Sequence, residues 1–279
     1  MIIVIGELLN SSRQPVEEAF LKREADYLVN LALEQEKAGC SYLDLNASTL
    51  LEQEVEIISW IIPLIQDRVS IPIAIDSTNP AALETGLRVH RGRALLNSLP
   101  GKQKELEEII PLIRDYQPQV IVSCLDDRGF PRTPDQTVEI AERIVNRLFS
   151  QTSVTPEDIF LDLLARPLAV APEAGRLFLE SLLLVRKELP GIKTVAGLSN
   201  VSYGLPRRRV VNLTFLSNLI GHGLSAVIAD PLHPDFWTTV IVSEFLNNRP
   251  GAADRFLAWA RASLKEDQYS DSGFLSCFR

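Results

Sequence analysis

The chain has 279 residues, 46% of them apolar, with 36 acidic against 28 basic side chains and a formal charge of −8. That balance excludes a nucleic-acid footprint, which needs a basic face. No apolar run approaches the ~18 residues of a membrane span, and the three cysteines (Cys40, Cys124, Cys277) are odd in number and at no metal-like spacing, which argues against a disulfide framework and for a reducing, cytoplasmic setting.

The stretch Met1–Glu7 is too short, and lacks the basic flank, for a signal peptide; Ile2–Ile5 reads as a buried first strand stopped by Gly6. Pro15–Ala38 reads as one helix, with Leu21, Ala25, Leu28, Leu31, Ala32 and Gln35 on roughly one face and Gly39 at its exit. Tyr42–Leu45 is the second strand, followed by a helix over Leu51–Asp67 that Pro63 is expected to kink or restart. Ile73–Ile75 is the third strand, with Pro80 in the first turn of the next helix. Ala94–Leu96 is the fourth, ahead of a helix over Lys102–Tyr116. Val120–Cys124 is the fifth; Thr133-Pro134 then has the form of an N-cap and first helical residue, opening a helix to about Phe149. Ile159–Leu161, Thr194–Ala196 and Ala226–Ala229 are strands six to eight, with helices over Pro172–Leu189, Arg208–Gly221, Asp235–Leu246 and Ala252–Leu264. The polar residues from about 265 to 279 are expected to form a loosely held tail.

Eight short apolar runs, each followed by a helical segment and with no linker between them, give a single-domain (β/α)8 barrel over residues 1–279. Nearly every strand ends in a polar residue: Glu7, Asp44 with Asn46, Asp76, Asn97, Asp126, Asp162, Asn200 and Asp230. In a closed barrel these ends meet at one mouth. A ring rich in Asp and Asn suits a neutral ligand bearing several N–H donors, because carboxylates accept and amides do both. It does not suit a phosphate, which would call for basic residues or a glycine-rich helix start. His90, His222 and His233 pair with no other ligand at zinc spacing, so no metal is expected. Neither a nucleophile elbow nor a strong dinucleotide fingerprint is present.

Gly6-Glu7-Leu8-Leu9-Asn10, Leu43-Asp44-Leu45-Asn46, Asp76-Ser77-Thr78-Asn79, Asn97-Ser98, Leu161-Asp162 and Gly197-Leu198-Ser199-Asn200-Val201-Ser202 follow one another in that order. The ordered set resembles the pterin-binding methyltransferases, which act between methyltetrahydrofolate and corrinoid proteins and include the folate module of cobalamin-dependent methionine synthase. The resemblance runs from about Met1 to Asp230. It implies that 5-methyltetrahydrofolate binds as co-substrate at the mouth, with Asp76, Asn97 and Asp162 holding the pterin edge. Gly197, Ser199 and Arg208 would line the pocket, and Asn200 would stand near N5 as the catalytic residue, helped by Asp76 through a water. Glu7, Asp44 and Asn46 would support that set. It further implies a separate cobalamin-carrying corrinoid protein as partner and a homodimer, for which Phe236, Trp237, Phe256 and Trp259 are candidate contacts if they are not simply barrel packing. Two departures, Leu163 after Asp162 and the loop Tyr203-Gly204-Leu205-Pro206, bear on the partner more than on the pterin site. The related dihydropteroate synthases normally carry Ser-Arg-Lys where this chain has Ser199-Asn200-Val201. A pterin-binding subunit without turnover is the other alternative.

Overall fold

The computed structural model describes residues 1–270 of the chain, with side chains through residue 262. Eight strands close into a barrel in sequence order: β1 (Ile3–Asn10), β2 (Tyr42–Asn46), β3 (Ile73–Asp76), β4 (Leu95–Pro100), β5 (Gln119–Ser123), β6 (Ile159–Asp162), β7 (Lys193–Gly197) and β8 (Ala226–Ala229). Every neighbouring pair is parallel, β8 with β1 included. Parallel pairs need crossovers, and the helices supply them from outside. They are α1 (Gln14–Leu21), α2 (Ala25–Lys37), α3 (Glu54–Gln66), α4 (Pro80–Val89), α5 (Gln103–Tyr116), α6 (Pro134–Gln151), α7 (Ala174–Glu188), α8 (Arg208–Gly221), α9 (Phe236–Leu246) and α10 (Ala252–Ser270).

Two apolar layers hold this together. Strand residues facing outward, such as Leu43, Ile75, Leu96 and Val122, pack on the buried faces of the helices. Those facing inward form a separate plug of Ile5, Ala74, Leu95, Ile121, Phe160, Val195 and Ala226, with Ile3, Tyr42 and Ile228 against it. The plug fills the barrel interior, so a ligand has access only at the strand ends.

Local chemistry explains most boundaries. Asn79 caps α4 by accepting from the Ala81 N–H at 3.0 Å, and Thr133 caps α6 by accepting from Gln136 at 3.2 Å. The single helix expected over Pro15–Ala38 is instead two. Arg23 takes φ 57°, and the Glu24 N–H turns back to the Ala19 carbonyl, a left-handed helix ending that seldom falls on a non-glycine residue. Arg23 is anchored there by Glu56 and by the Trp60 ring, 4.8 Å below its guanidinium. Pro63 sits inside α3 without dividing it; the true start is at Glu54, after a 3₁₀ segment over Ser48–Gln53. Helix α10 runs to Ser270, so residues 265–270 of the expected tail are helical, and the rest of that tail lies outside the described residues. Phe236 is fully buried and meets Trp237 edge-on, while Phe245 stacks on Phe256, so these aromatics pack within the chain.

Candidate functional site

Side chains of a strand alternate between its two faces, so the plug fixes which later residues also face inward. Two positions beyond Ala74, Leu95 and Phe160 stand Asp76, Asn97 and Asp162; two beyond Tyr42 and Ile5 stand Asp44 and Glu7. Asn46, Asp76 and Asn97 occupy one level on three adjacent strands, paired Asn46 to Asp76 and Asp76 to Asn97. Ser123 and Asp162 pair with each other on β5 and β6, one pleat repeat beyond Ile121, the partner of Asn97. The apolar plug therefore gives way, within one repeat of the pleat, to a ring of acids and amides.

On the β2–β4 side the ring is cross-linked. The Asn46 amide donates from Nδ2 to Asp76 Oδ2 at 2.8 Å, while its Oδ1 accepts from the Ser48 N–H and hydroxyl at 3.1 and 2.8 Å. Asn97 donates from Nδ2 to Asp44 Oδ1 at 2.9 Å. Asp44 lies one layer deeper and is 3% exposed. Burial first, then the negative charge of Asp76, raises its carboxyl well above the ordinary range. Burial likewise pushes Asp76 up to about 6, against the opposing bond from Asn46. Among the described residues, Asp162 has no cation beside it. Its carboxylate accepts from the Leu164 N–H at 2.9 Å, and burial pushes it up to about 6. Leu164 takes φ 65°, which turns that N–H back over the end of β6.

Across the mouth, β7 ends at Gly197 and a 3₁₀ turn, Leu198–Asn200, follows at once. Ser199 is gripped from both sides. Its hydroxyl donates to Glu7 Oε1 at 2.6 Å, and its carbonyl accepts from Arg208 at 2.9 Å. Arg208 also donates to the Ser202 hydroxyl at 3.1 Å and lies 6.0 Å from the Tyr203 ring. Burial raises the Glu7 carboxyl above its ordinary value, opposed by the Ser199 bond and by Arg13. The Arg13 guanidinium spans Glu7 and Asp230, at 3.6 and 3.9 Å. Asn200 is exposed, and its side chain has no hydrogen bond among the described residues. It lies over Gly197, where a β-carbon would stand 3.1 Å from its Nδ2.

The structure thus brings Glu7, Asp44, Asn46, Asp76, Asn97, Asp162, Gly197, Ser199 and Asn200 to one end of the barrel. Arg208 is there as well, with its guanidinium turned to the Ser199–Ser202 turn. Asp126, which the sequence places in the ring, is not in it. It lies three residues past Ser123, the residue of β5 that faces inward, and Arg128 and Arg143 hold it at 2.9 and 3.0 Å. Arg13 was not singled out in the sequence; a lone arginine just after a strand gives no signal until the barrel closes β1 on β8. Among the described residues, no three His, Cys, Asp or Glu side chains gather as a metal would require.

Comparison with known proteins identifies the family and the fold. Residues 6–230 match the pterin binding enzymes. The chain belongs to that family. It is 28% identical over 247 residues to the methylcorrinoid:tetrahydrofolate methyltransferase of Eubacterium limosum, covering 88% of this chain and 91% of that one. It is also 28% identical over 239 residues to the methionine synthase of Mycobacterium tuberculosis, there covering only 20% of the longer protein. Among solved structures, the dihydropteroate synthase of Xanthomonas albilineans superposes with a TM-score of 0.69 at 12% identity, over 88% of this chain and 93% of that one. The enzyme of Thermus thermophilus gives 0.63 at 18% identity over the same shares. This family's barrel is thus the fold of the chain.

Proposed function

We propose that this pterin-binding enzyme moves a methyl group between N5 of tetrahydrofolate and the cobalt of a corrinoid carried by a separate protein. The observation that carries the reading is the asymmetric mouth. Acceptors (Asp76, Asn97 and Asp162) lie inside one rim, and a neutral, unengaged amide, Asn200, stands on the turn beyond β7. A pterin has ring N–H and amino donors along one edge, which match acceptors held at fixed spacing. The name of the Eubacterium limosum relative supports the corrinoid half of the reaction.

Transfer from N5 breaks the N–CH₃ bond and forms the Co–CH₃ bond with the electron pair of cobalt(I); the N–C pair stays on nitrogen. A tertiary amine is a poor leaving group until N5 gains positive charge by protonation. Asn200 can hydrogen-bond to N5 as that charge develops, without itself holding the proton. Such preorganised polar groups act without reorganising during the reaction. Asp76, ionised above about pH 6, is placed among the acceptors for the pterin edge. We assign Gly197 and Ser199 to the shape of this turn and Arg208 to its bracing. Dihydropteroate synthase chemistry is disfavoured because Val201, at the place of the expected lysine, is an apolar side chain only 1% exposed.

The test is direct. The protein is mixed with methyltetrahydrofolate and free cob(I)alamin, and methylcobalamin formation is followed in the visible spectrum, with methylcobalamin and tetrahydrofolate as the reverse arm. Folate binding without transfer in either direction would replace this reading with that of a non-catalytic pterin-binding subunit.

A further inference from the structure

Asp44 lies below the open mouth and, among the described residues, meets no cation. It is buried on β2 beneath Asn46, and the charged groups facing it are both acids, Asp76 on β3 and Glu7 on β1. An ionised carboxylate there would be a second buried negative charge beside Asp76, with the Asn97 amide as its hydrogen-bonding relief. Like charges so close do not both ionise readily. Asp44 pairs with Ala74 on β3, so Asp76, two residues on, is its neighbour on the same inward face. A proton on Asp44 would let one of its oxygens accept from Asn97, as it does here, while the other donates to Asp76.

That arrangement settles which way an amide faces. An Asn side chain can present either its oxygen or its nitrogen, and its partners decide. Asn46 is fixed by Asp76 on its nitrogen and Ser48 on its oxygen. Asn97 is fixed from one side only, through Nδ2 to Asp44, so its Oδ1 is left for whatever enters the mouth. We propose that Asp44 is a positioning residue that works as a neutral carboxylic acid. It accepts from the Asn97 amide and donates to Asp76, so that Asn97 shows its carbonyl oxygen, and Asp76 a single negative charge, to the N–H edge of the ligand. The inference rests on the pterin-site reading of the mouth and adds a protonation state and an amide orientation to it.

Two variants test it. Asparagine in place of Asp44 keeps both an acceptor for Asn97 and a donor for Asp76, so Asp44→Asn copies a neutral acid but not a carboxylate. Asp44→Ala removes both bonds. Tetrahydrofolate affinity, measured by calorimetry at pH 7.5, is expected to stay within ~3-fold of wild type in Asp44→Asn and to fall ~10-fold or more in Asp44→Ala, as for loss of a buried hydrogen-bond partner. Infrared difference spectroscopy of Asp44→Asn against wild type at neutral pH is expected to show loss of a protonated-carboxyl C=O band, which a merely structural aspartate would not produce. Equal loss of affinity in both variants, or absence of that band, overturns the proposal. Affinity unchanged in folded Asp44→Ala also overturns it. If wild-type protein binds no tetrahydrofolate, the pterin-site reading itself fails, while the infrared result still decides the protonation state.

Discussion

Asp162→Asn separates what the mouth does for a ligand from what it does for the fold. The Asp162 carboxylate is held by one backbone N–H and faces no cation among the described residues, and it is pushed from 3.8 up to about 6. At about 1.4 kcal/mol for each pH unit, keeping it ionised above pH 6 costs the native state ~3 kcal/mol at most. Part of the residue still reaches solvent, so ~1–3 kcal/mol is the expected range. The sign follows from linkage. Between about pH 4 and 6 the native chain holds a proton that the unfolded chain has released, so Asp162 makes stability fall as pH rises through that window. The asparagine variant lacks the penalty and can still accept from Leu164. It should therefore be ~1–3 kcal/mol more stable than wild type at pH 7.5 and no more stable near pH 4. Tetrahydrofolate binding should weaken ~10–100-fold, the worth of a charge-assisted bond of ~1.5–3 kcal/mol. Urea unfolding at pH 4.5, 6 and 7.5, with calorimetric titration at pH 7.5, measures both. A variant less stable at pH 7.5, or a stability difference flat from pH 4.5 to 7.5, would refute the electrostatic account of this residue.

Asn200→Ala is expected to lower the single-turnover rate of transfer ~10²–10³-fold, the usual loss for one preorganised polar group, with tetrahydrofolate affinity changed less than ~3-fold; stopped-flow spectra of the cobalt centre check it. Gly197→Ala places a β-carbon 3.1 Å from Asn200 Nδ2, so it should displace that amide and slow transfer ~10-fold while the circular dichroism melt stays close to wild type. Tetrahydrofolate affinity should fall as pH drops below about 6, because Asp76 and Asp162 both take up protons there and lose charge as acceptors; above pH 7 these two groups give no further change. Titrations from pH 5 to 8 show whether the fall is there.

The barrel was legible because its strands are short apolar runs with turn residues at regular spacing, and the closed order follows from eight repeats of one unit. The ring was legible as a set of strand ends, since Asp76, Asn97 and Asp162 each terminate a run. Its wiring was not. Asn97 and Asp44 are 53 residues apart in sequence, and only the register of β2, β3 and β4 shows which amide meets which acid. Glu7 falls inside β1 rather than past its end, because the strand continues to Asn10 through an irregularity between Gly6 and Leu9. Asp126 failed for the converse reason: a polar residue three positions beyond the last inward-facing side chain is free to turn away, and two arginines draw it outward. The split between α1 and α2 carried no signal, since the left-handed residue is Arg23 where a glycine would have marked the break.

Binding and transfer are housed in mechanically different parts of the mouth. The acceptors sit on β3, β4 and β6, within the barrel ladder, and Asp76 and Asn97 are hydrogen-bonded to Asn46 and Asp44 of β2, so a ligand edge meets them already in place. Such a surface lowers the energy of bound substrate and of the transition state alike, and it affects KM more than the rate of the bound complex. Asn200 instead stands on a single 3₁₀ turn, held through its neighbour Ser199 by Glu7 on one side and Arg208 on the other. An amide with no protein partner costs nothing to redirect, so it can strengthen its contact as charge develops at the reacting nitrogen. It follows that substitutions at the strand acids should separate from those at the turn in their kinetics. Loss of Arg208 should act like a mild loss of Asn200, lowering the transfer rate while leaving ligand affinity nearly intact. If Arg208→Ala weakened tetrahydrofolate binding as much as Asp162→Asn does, the guanidinium would belong to the binding surface and the division would not hold.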